Sequence, residues 1–429
     1  MHRIDLNADE LSAALLGLAA QNNVSILDSC GVGHLGSHLM IAGVEPVEAR
    51  EINDRDVNAA LAKFEAMLAS GHAAVFTISY ELGPRLEHIE PRTKSDDPLV
   101  HVALYDTLAV HDYDDKKTFL AGNEKKFGAI GKALTGSSFT ERKAYGRTDP
   151  VSNFSRGEYI EAVEIIKEHI RRGNTYQVNL TQRLTVEMPE ELNAETVFAR
   201  LRRDHPAPFS AFLRRGNSTV VSASPERFFR ISDGAISASP IKGTRPRGKS
   251  TTEDDALRTE LVDSKKDRAE NTMIVDLLRN DLGRVCKYGS VAVERLCEIQ
   301  EHPTLFHLVS TINGRLRDGV KFTDAVRALF PCGSVTGAPK IRTMEIIDEL
   351  ETAPRGLSMG AIGYFIPERG FAGLKPGFDL SVAIRTMTIR GREATFNVGG
   401  GITIDSDAKA EYDESILKAK ALLAALNSE

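Results

Sequence analysis

The chain has 429 residues, of which 41% are hydrophobic and 27% are charged, and its formal net charge is −6. This length and composition predict a globular protein with a large core, and the acidic balance excludes a general footprint for nucleic acid or for an anionic membrane. The cysteines show no spacing typical of a disulfide framework or a zinc site, so we expect a reducing cytoplasm: Cys30, Cys286, Cys297 and Cys332.

The first 140 residues mix short strand-like runs with helices and turns. An apolar run at 13–20, AALLGLAA, follows acidic residues and is far shorter than a membrane span, which indicates an amphipathic helix and no export signal. A polar, glycine-containing stretch at 113–150 then predicts a boundary or exposed linker. We therefore expect an N-terminal region, 1–140, and a catalytic region, 150–424, that share an intertwined sheet core.

The second region opens with a well-marked helix and strand. Ser155 and Glu158 match a capping box, and a helical apolar stripe continues until Gly173. The following segment, YQVNLTQRLTVEM, alternates between two faces and predicts a strand. Strands and helices recur in clusters with hairpin connections, which favours an α+β fold with largely antiparallel sheets.

A basic turn follows a predicted hairpin. Asp233 and Gly234 separate two strand-like runs as tight hairpin turns do, so the next turn is expected at a strand end. That turn, SASPIKGTRPRG, holds Lys242 between a proline and a glycine. On its own it fits a surface lysine as well as a functional one.

Two acids share the apolar stripe of another predicted helix. In DRAENTMIVDLLRND, helical spacing places Glu270 among apolar residues and Asp267 one turn earlier on the same face. A buried carboxylate is costly unless it is paired or bound to a cation. A buried ion pair with an arginine and a cation site both remain open.

The C-terminal helix repeats this acid spacing. Glu411, Glu414 and Lys418 form a line beside the expected apolar stripe of the helix, which also fits a solvated face. Two such acid pairs could offer oxygen ligands to a hard cation from two sides. Because Mg²⁺ usually takes one or two protein carboxylates, the four acids would divide into two ligands and two supporting groups.

Three further features suggest anion recognition or core packing. Three successive glycines interrupt a predicted strand and suit either a backbone nest for a carboxylate or a tight bend: Gly399, Gly400 and Gly401. Arg385 lies in the strand-like run DLSVAIRTMTIR and could clamp a carboxylate. His307 stands alone among apolar residues, as core histidines often do.

Together these segments resemble the chorismate-utilising enzymes, the family of anthranilate synthase component I, aminodeoxychorismate synthase component I, and isochorismate and salicylate synthases. The motifs that carry the resemblance run in family order from about 150 to 420: QVNLTQR, SASPERFF, PIKGT, DRAENTMIVDLLRNDLGRV, HLVSTINGRL, FPCGSVTGAPKIRTMEIIDELE, GAIGYF, AIRT and GGGITIDSDAKAEYDES. The segment ILDSCGVGHLGSHLMIAGVEP resembles the N-terminal strand region of the family. The resemblance implies an anthranilate-synthase-like fold, with large antiparallel sheets packed as a sandwich and helices outside.

The resemblance also implies a role for each matching residue. Glu270 and Glu414 would ligate Mg²⁺, with Asp267 and Glu411 beside them. Residues implied to contact the substrate are Gly243, Thr244, Tyr364, Arg385, Gly399, Gly400, Gly401 and Lys418. Residues implied to act in the chemistry are Lys242, Glu226 and His307.

The lysine of PIKGT is the residue that distinguishes members of the family. Anthranilate synthases carry alanine there, and the lysine form is typical of aminodeoxychorismate synthases, in which that amine attacks C2 of chorismate. Gln177 stands where water-using members have a lysine base. The resemblance therefore implies formation of 4-amino-4-deoxychorismate, for p-aminobenzoate and folate, with ammonia from a separate glutamine amidotransferase subunit. An anthranilate-type synthase and a catalytically silent chorismate-binding subunit are the alternatives.

Overall fold

The computed structural model describes residues 2–20, 23–33, 38–142, 149–301 and 305–427. The strands are β1 (His2–Ile4), β2 (Val24–Asp28), β3 (Leu39–Val44), β4 (Glu48–Ile52), β5 (Ala73–Ile78), β6 (Val100–Tyr105), β7 (Thr107–Asp112), β8 (Lys117–Gly122), β9 (Val151–Ser152), β10 (Gln177–Glu187), β11 (Phe209–Arg215), β12 (Ser218–Ser224), β13 (Arg227–Ser232), β14 (Ala235–Ser239), β15 (Ile241–Pro246), β16 (Ala292–Glu301), β17 (Leu305–Arg315), β18 (Gly337–Ala338), β19 (Ala361–Ile366), β20 (Gly377–Val382), β21 (Thr386–Arg390) and β22 (Glu393–Ile402). The helices are α1 (Ala8–Ala19), α2 (Val57–Leu68), α3 (Leu82–Leu86), α4 (Glu124–Thr135), α5 (Arg156–Arg171), α6 (Ala194–Asp204), α7 (Thr251–Asp263), α8 (Lys265–Gly283), α9 (Phe322–Leu329), α10 (Lys340–Leu350) and α11 (Ala408–Leu426), with a 3₁₀ turn at Gly333–Val335.

These strands build two large antiparallel sheets, so the predicted α+β class is confirmed. The first sheet has 12 strands in the order β1-β8-β7-β3-β2-β11-β12-β21-β22-β10-β18, with β9 beside β10. The second has 10 strands in the order β15-β17-β14-β13-β20-β19-β5-β6-β4, with β16 beside β17. In both sheets, strands from the first 140 residues pair with later strands, since β2 joins β11 and β5 joins β19.

The two sheets pack face to face, and helices cover their outer faces. Residues of both sheets meet in an inner apolar layer that includes Val75, Val110 and Leu213. A second cluster packs α2, α8 and α9 on the 10-stranded sheet. A third packs α1, α4, α6 and α11 on the 12-stranded sheet. The packing of the sheets and helices holds the ends of the strands in place, and the candidate site lies at these ends.

Several local predictions are confirmed. Helix α5 begins after a capping box formed by Ser155 and Glu158, and β10 follows it directly. The hairpin between β13 and β14 turns at Asp233 and Gly234, whose φ angles of 52° and 69° match a tight turn with left-handed central residues.

The expectation of a linker across 113–150 is wrong over much of its length. Strand β8 lies inside this stretch and pairs with β1 and β7, and α4 follows it. Its charged residues face outward while Phe127 and Leu134 are buried, so a polar composition here reflects an amphipathic helix. Residues 143–148 lie outside the described part. None of the described helices combines the length and apolar character that a membrane span requires.

Candidate active site

A cavity of about 870 Å³ opens where the ends of β10, β15 and β22 meet α8 and α11. It brings together most of the residues that the sequence singled out. From these predicted residues, its lining includes Glu226, Lys242, Gly243, Thr244, Asp267, Glu270, His307, Arg385, Gly399, Gly401, Glu411, Glu414 and Lys418. Gly400 borders this lining, because a Cβ there would lie 3.1 Å from Glu411 Oε2 and 3.5 Å from Lys418 Nζ.

Lys242 reaches the cavity from a strand and not from a free turn, which corrects the sequence interpretation. It lies in β15, whose register against β17 shifts between Ile241 and Thr244. Gly243 in this bulge has φ +83°, and a Cβ there would lie 2.8 Å from Leu261 and 2.9 Å from Asp267. The bulge therefore requires glycine and fixes the direction of the neighbouring lysine. The Lys242 Nζ donates to the Ser334 carbonyl at 3.3 Å.

Glu226 is the buried acid beside this amine. Its residue is 4% exposed, and its Oε1 has no hydrogen-bond partner among the described residues. Burial raises the pKa of Glu226 to about 7, while the charge of Lys242 and a hydrogen bond from Ser334 act in the opposite direction. Such a carboxyl group can carry a proton near neutral pH and release it within the cavity.

His307 is buried on β17, directly opposite Thr244 of β15. Both residues line the cavity. The structure thus places the lone histidine of the apolar segment at the wall that also carries Lys242, which sequence spacing alone could not show.

Four acids approach the cavity from two helices. Asp267 and Glu270 come from α8, and Glu411 and Glu414 come from α11. Asp267 pairs with Arg245 at 3.3 Å, as the ion-pair alternative anticipated. Glu411 is buried and accepts from the Ser406 hydroxyl at 2.7 Å.

The charges around these acids are unevenly balanced. Burial raises the pKa of Glu270, and the nearby Asp267 and Glu411 add to this effect against the opposing charges of Lys242 and Lys266. Burial would also raise the pKa of Glu414, but its ion pair with Lys418 at 2.8 Å holds that pKa below its usual value. Among the described residues, the Glu270 carboxylate has no hydrogen-bond or ion-pair partner, so of the four acids it would gain most from a bound cation.

This donor set fits a hard divalent cation that also binds substrate. Within the described ranges, no three acidic, histidine or cysteine side chains are grouped closely enough to hold an ion alone. Mg²⁺ commonly takes one or two carboxylates and fills its other positions with water or substrate oxygens. Glu270 and Glu414 are suited to be the two carboxylate ligands, because Asp267 and Glu411 are already held by Arg245 and Ser406.

The three glycines continue a strand, contrary to the predicted interruption. Strand β22 runs through them to Ile402. Gly399 pairs with Thr181 and Gly401 with Asn179. The amides of these two β10 residues donate away from β22, to Glu351 and to the Thr336 carbonyl. Because antiparallel pairs alternate, the N–H groups of Gly399 and Gly401 also point away from β10, toward the cavity side.

Close packing explains why glycine is needed in this strand. A Cβ at Gly399 would lie 1.9 Å from the Leu180 carbonyl oxygen, and one at Gly401 would lie 2.0 Å from Gln177 Nε2. The Gly399 carbonyl accepts from Lys418 at 2.9 Å. Two backbone donors, rather than the three suggested by the sequence, therefore face the cavity.

Arg385 is not in a strand, which corrects the reading of DLSVAIRTMTIR as one element. It lies between β20 and β21 with φ +48°, an unusual backbone conformation for arginine. Burial lowers its pKa. Within the part of the chain that is described, its guanidinium has no acidic partner, so it is available to a carboxylate in the cavity.

Tyr364 does not line this cavity. It belongs to β19 and borders a separate space of about 40 Å³ between the sheets, together with Leu27 and Phe209. Side chains alternate along β19, and the register with β5 and β20 turns Tyr364 toward the inner apolar layer. The resemblance alone did not anticipate this placement.

Sequence reasoning missed three residues of the cavity wall. Ser334 accepts from Lys242 through its carbonyl and bonds to Glu226, and Lys266 acts on Glu270 and Glu414. Asn179 projects from β10 into the cavity. Asn179 and Ser334 lie within the motifs QVNLTQR and FPCGSVTGAPKIRTMEIIDELE, but no role was assigned to them, and Lys266 lies just outside a motif. Their contacts join distant segments, so no local pattern shows them.

The sandwich and the acid-rich cavity at its sheet ends agree with the family that the sequence comparison identifies. The family model described as chorismate binding enzyme matches residues 22–424, and the chain belongs to that family. It is similar to aminodeoxychorismate synthase component 1 of Klebsiella aerogenes, at 40% identity over 83% of this chain and 77% of the relative.

Two further comparisons bear on fold and length. The chain is 43% identical to a probable chloroplastic aminodeoxychorismate synthase of Oryza sativa subsp. japonica over 67% of this chain, and it spans only 32% of that longer protein. The crystal structure of anthranilate synthase component I from Streptococcus pneumoniae superposes with a TM-score of 0.77 at 27% identity, covering 91% of this chain and 93% of that one.

Proposed function

We propose that this protein is the chorismate-aminating component of an aminodeoxychorismate synthase, which forms 4-amino-4-deoxychorismate from chorismate and ammonia. The observation that carries the proposal is the amine of Lys242 at the cavity wall, between the buried Glu226 and the acids of α8 and α11. A silent binding subunit has no need of a nucleophile beside a proton donor. The name of the Klebsiella relative supports the same activity.

The residues supply a balanced sequence of steps. In its deprotonated form, the Lys242 amine forms a bond to C2 of chorismate and both ring double bonds shift by one position. The C4–O bond breaks as the 4-hydroxyl takes a proton from Glu226 and leaves as water. Ammonia then forms a bond to C4, both double bonds shift back, and the C2–N bond to Lys242 breaks. The new ammonium group at C4 returns a proton to Glu226, which restores the starting state of the site. Holding the amine on the β15 bulge provides the positioning that a covalent route needs.

Binding of the substrate carboxylates is divided between two walls. Arg385 and the N–H groups of Gly399 and Gly401 would hold one carboxylate. Mg²⁺ held by Glu270 and Glu414 would supply positive charge for the ring carboxylate. Lys418 stands beside both walls.

We propose that a separate glutamine amidotransferase subunit supplies the ammonia. The designation of the Klebsiella relative as component 1 supports a second component. Ammonium salt should then support turnover by this chain alone, whereas glutamine should require the added subunit.

The decisive experiment compares Lys242→Ala with the unaltered protein in chorismate, ammonium salt and Mg²⁺. Loss of the nucleophile should slow formation of 4-amino-4-deoxychorismate by a factor on the order of a hundred or more. Lys249→Ala, at an exposed lysine directly after the basic turn, is the matched control and should retain the parent rate. Mass spectrometry of the products gives rate and regiochemistry together.

An anthranilate-type synthase is the second candidate, because the Streptococcus anthranilate synthase component I shares the fold at 27% identity. It would place the amine at C2 and give anthranilate. If Lys242→Ala keeps both the rate and the product of the unaltered protein, the covalent route is excluded.

A further inference from the structure

The cavity-facing side of β10 carries an amide donor that no group of the described chain uses. Asn179 lines the cavity, is 7% exposed, and its Nδ2 is buried without a hydrogen-bond partner in the residues described. An unpaired buried donor costs about 1–3 kcal/mol. Such an exception at a cavity wall indicates that a ligand supplies the acceptor.

The backbone of Asn179 is held through both its N–H group and its carbonyl. Its N–H donates to the Thr336 carbonyl at 2.8 Å, and its carbonyl accepts from Arg355 Nη2 at 2.6 Å. Arg355 is buried and bonds to both carboxylate oxygens of Glu351, at 2.8 and 2.6 Å. The backbone from which the donor projects is therefore fixed before any ligand arrives, which lowers the entropy lost on binding.

The same short segment also positions the proposed nucleophile. Lys242 Nζ contacts the Ser334 carbonyl, Arg355 contacts the Val335 carbonyl at 2.8 Å, and Asn179 contacts the Thr336 carbonyl. Three consecutive carbonyl groups thus connect the amine, the buried arginine and the amide. Asn179 and Lys242 approach the cavity from one scaffold.

The surroundings of Asn179 favour an uncharged acceptor. Arg385 and the N–H groups of Gly399 and Gly401, on the neighbouring wall, are better suited than a neutral amide to bind a substrate carboxylate. A neutral amide offers a weaker but directional hydrogen bond that suits a hydroxyl or ether oxygen.

We propose that Asn179 is a substrate-binding residue whose Nδ2 donates to an uncharged oxygen of the substrate beside the carbon that Lys242 approaches. The bond orients the ring against the amine and so contributes to the choice of the carbon that reacts. The identity of the substrate as chorismate rests on the proposed function. The donor role rests on the geometry of β10.

The test measures chorismate affinity by calorimetry for Asn179→Ala and Asn179→Asp in Mg²⁺. Loss of one neutral hydrogen bond should raise Kd for chorismate about three- to tenfold in the alanine variant. The aspartate variant offers no donor and adds negative charge, so its Kd should rise at least as much. Neither the melting temperature nor the fold of the ligand-free alanine variant should suffer, because the removed donor has no partner there.

Gln182→Ala is the matched control on the opposite face of β10. The Gln182 amide is fully used, since it donates to Ser415 at 2.6 Å and accepts from Ser152 at 2.7 Å. This variant should lower the melting temperature and leave Kd within twofold of the unaltered protein. Asn179→Ala should instead keep the melting temperature and raise the Kd for chorismate.

Two outcomes would overturn the inference. Asn179→Ala with a chorismate Kd within twofold of the unaltered protein would show that the amide does not contact the substrate, and absence of chorismate binding by the unaltered protein would reject both proposals. If the unaltered protein binds chorismate but forms no aminated product, the proposed function fails alone. The Kd comparison would still decide the role of Asn179.

Discussion

At the scale of single residues, the buried Glu226 makes stability depend on pH. Burial raises its pKa from 4.5 to about 7, so the folded state binds this proton more tightly than the unfolded state. The resulting stabilisation is fully present below pH 4.5 and is lost as pH rises through about 7. The total change is at most on the order of 3 kcal/mol, because one pKa unit corresponds to about 1.4 kcal/mol.

Glu226→Gln should therefore gain stability relative to the unaltered protein between pH 5 and pH 8. The neutral amide cannot ionise, so the variant loses this part of the pH dependence. Urea unfolding at both pH values measures it. Glu191→Gln, at an exposed site, is the control and should show the same pH dependence of stability as the unaltered protein. Burial also raises the pKa of Glu81 to about 7, so part of the pH dependence should remain in every variant. An identical pH response of Glu226→Gln and the unaltered protein would contradict this account.

Glu270 allows a test of the cation site that is independent of turnover. Mg²⁺ that binds only the folded state should raise the melting temperature of the unaltered protein. At a free Mg²⁺ concentration one hundred times its Kd, the added stabilisation is about 2.7 kcal/mol. Glu270→Gln should lose most of this shift without losing ligand-free stability, because it removes a carboxylate whose burial is unfavourable. Asp413→Asn, at an exposed acid of α11 that does not line the cavity, should keep the shift. Equal shifts in all three proteins would reject the assignment.

At the scale of elements, strand β22 shows why neighbouring glycines differ. A Cβ at Gly399 would meet a backbone oxygen at 1.9 Å, which cannot move aside without shifting β10. At Gly400 the nearest atoms are the flexible ends of Glu411 and Lys418, at 3.1 and 3.5 Å. The two positions should therefore tolerate alanine unequally.

Gly399→Ala should lower the free energy of unfolding by about 3 kcal/mol or more, the upper range for overpacking. Gly400→Ala should cost less than about 1 kcal/mol, because a small shift of the Glu411 and Lys418 side-chain ends is enough to relieve these contacts. Denaturant titrations of the two variants make the comparison. Comparable losses would mean that the strand adjusts more freely than its contacts with Leu180 suggest.

The elements also show where sequence is informative. Ser155 and Glu158 predict the start of α5 because capping is local, and the acid spacing on α8 predicts that Asp267 and Glu270 share a face. The placement of Tyr364 and Asn179 depends instead on which strands are neighbours. No local pattern shows that β10 lies beside β22 or that β19 lies beside β5.

The interruption predicted at the three glycines was wrong for the same reason. Glycine has high conformational freedom, which suggests a bend, but here it permits close contact with an adjacent strand. Similarly, the bulge that directs Lys242 exists only because β15 pairs with β17. Chemistry-bearing residue types are visible in sequence, whereas their directions are set by long-range pairing.

At the scale of the whole molecule, the two regions divided near residue 140 depend on one another for their sheets. Removal of the first region would expose an edge of β11 in one sheet and of β19 in the other. It would also remove half of the apolar layer between the sheets. Open edges and an uncovered core both promote aggregation.

A fragment of residues 150–429 should consequently be insoluble or lack a cooperative unfolding transition, and co-expression with 1–142 should restore a soluble complex. The intact chain should unfold in a single calorimetric transition. Solubility, gel filtration and scanning calorimetry check these outcomes. A monomeric fragment with a sharp transition would show that the later strands suffice for a stable sheet.

The strand order has a further consequence during synthesis on the ribosome. Strand β5 is made early, but its neighbour β19 begins about 280 residues later. At a translation rate of roughly 5–20 residues per second, one edge of β5 waits on the order of 15–60 seconds for its partner. The nascent chain must remain unaggregated over that interval, so its yield in cells should depend on chaperone capacity and elongation speed as well as on the stability of the finished fold.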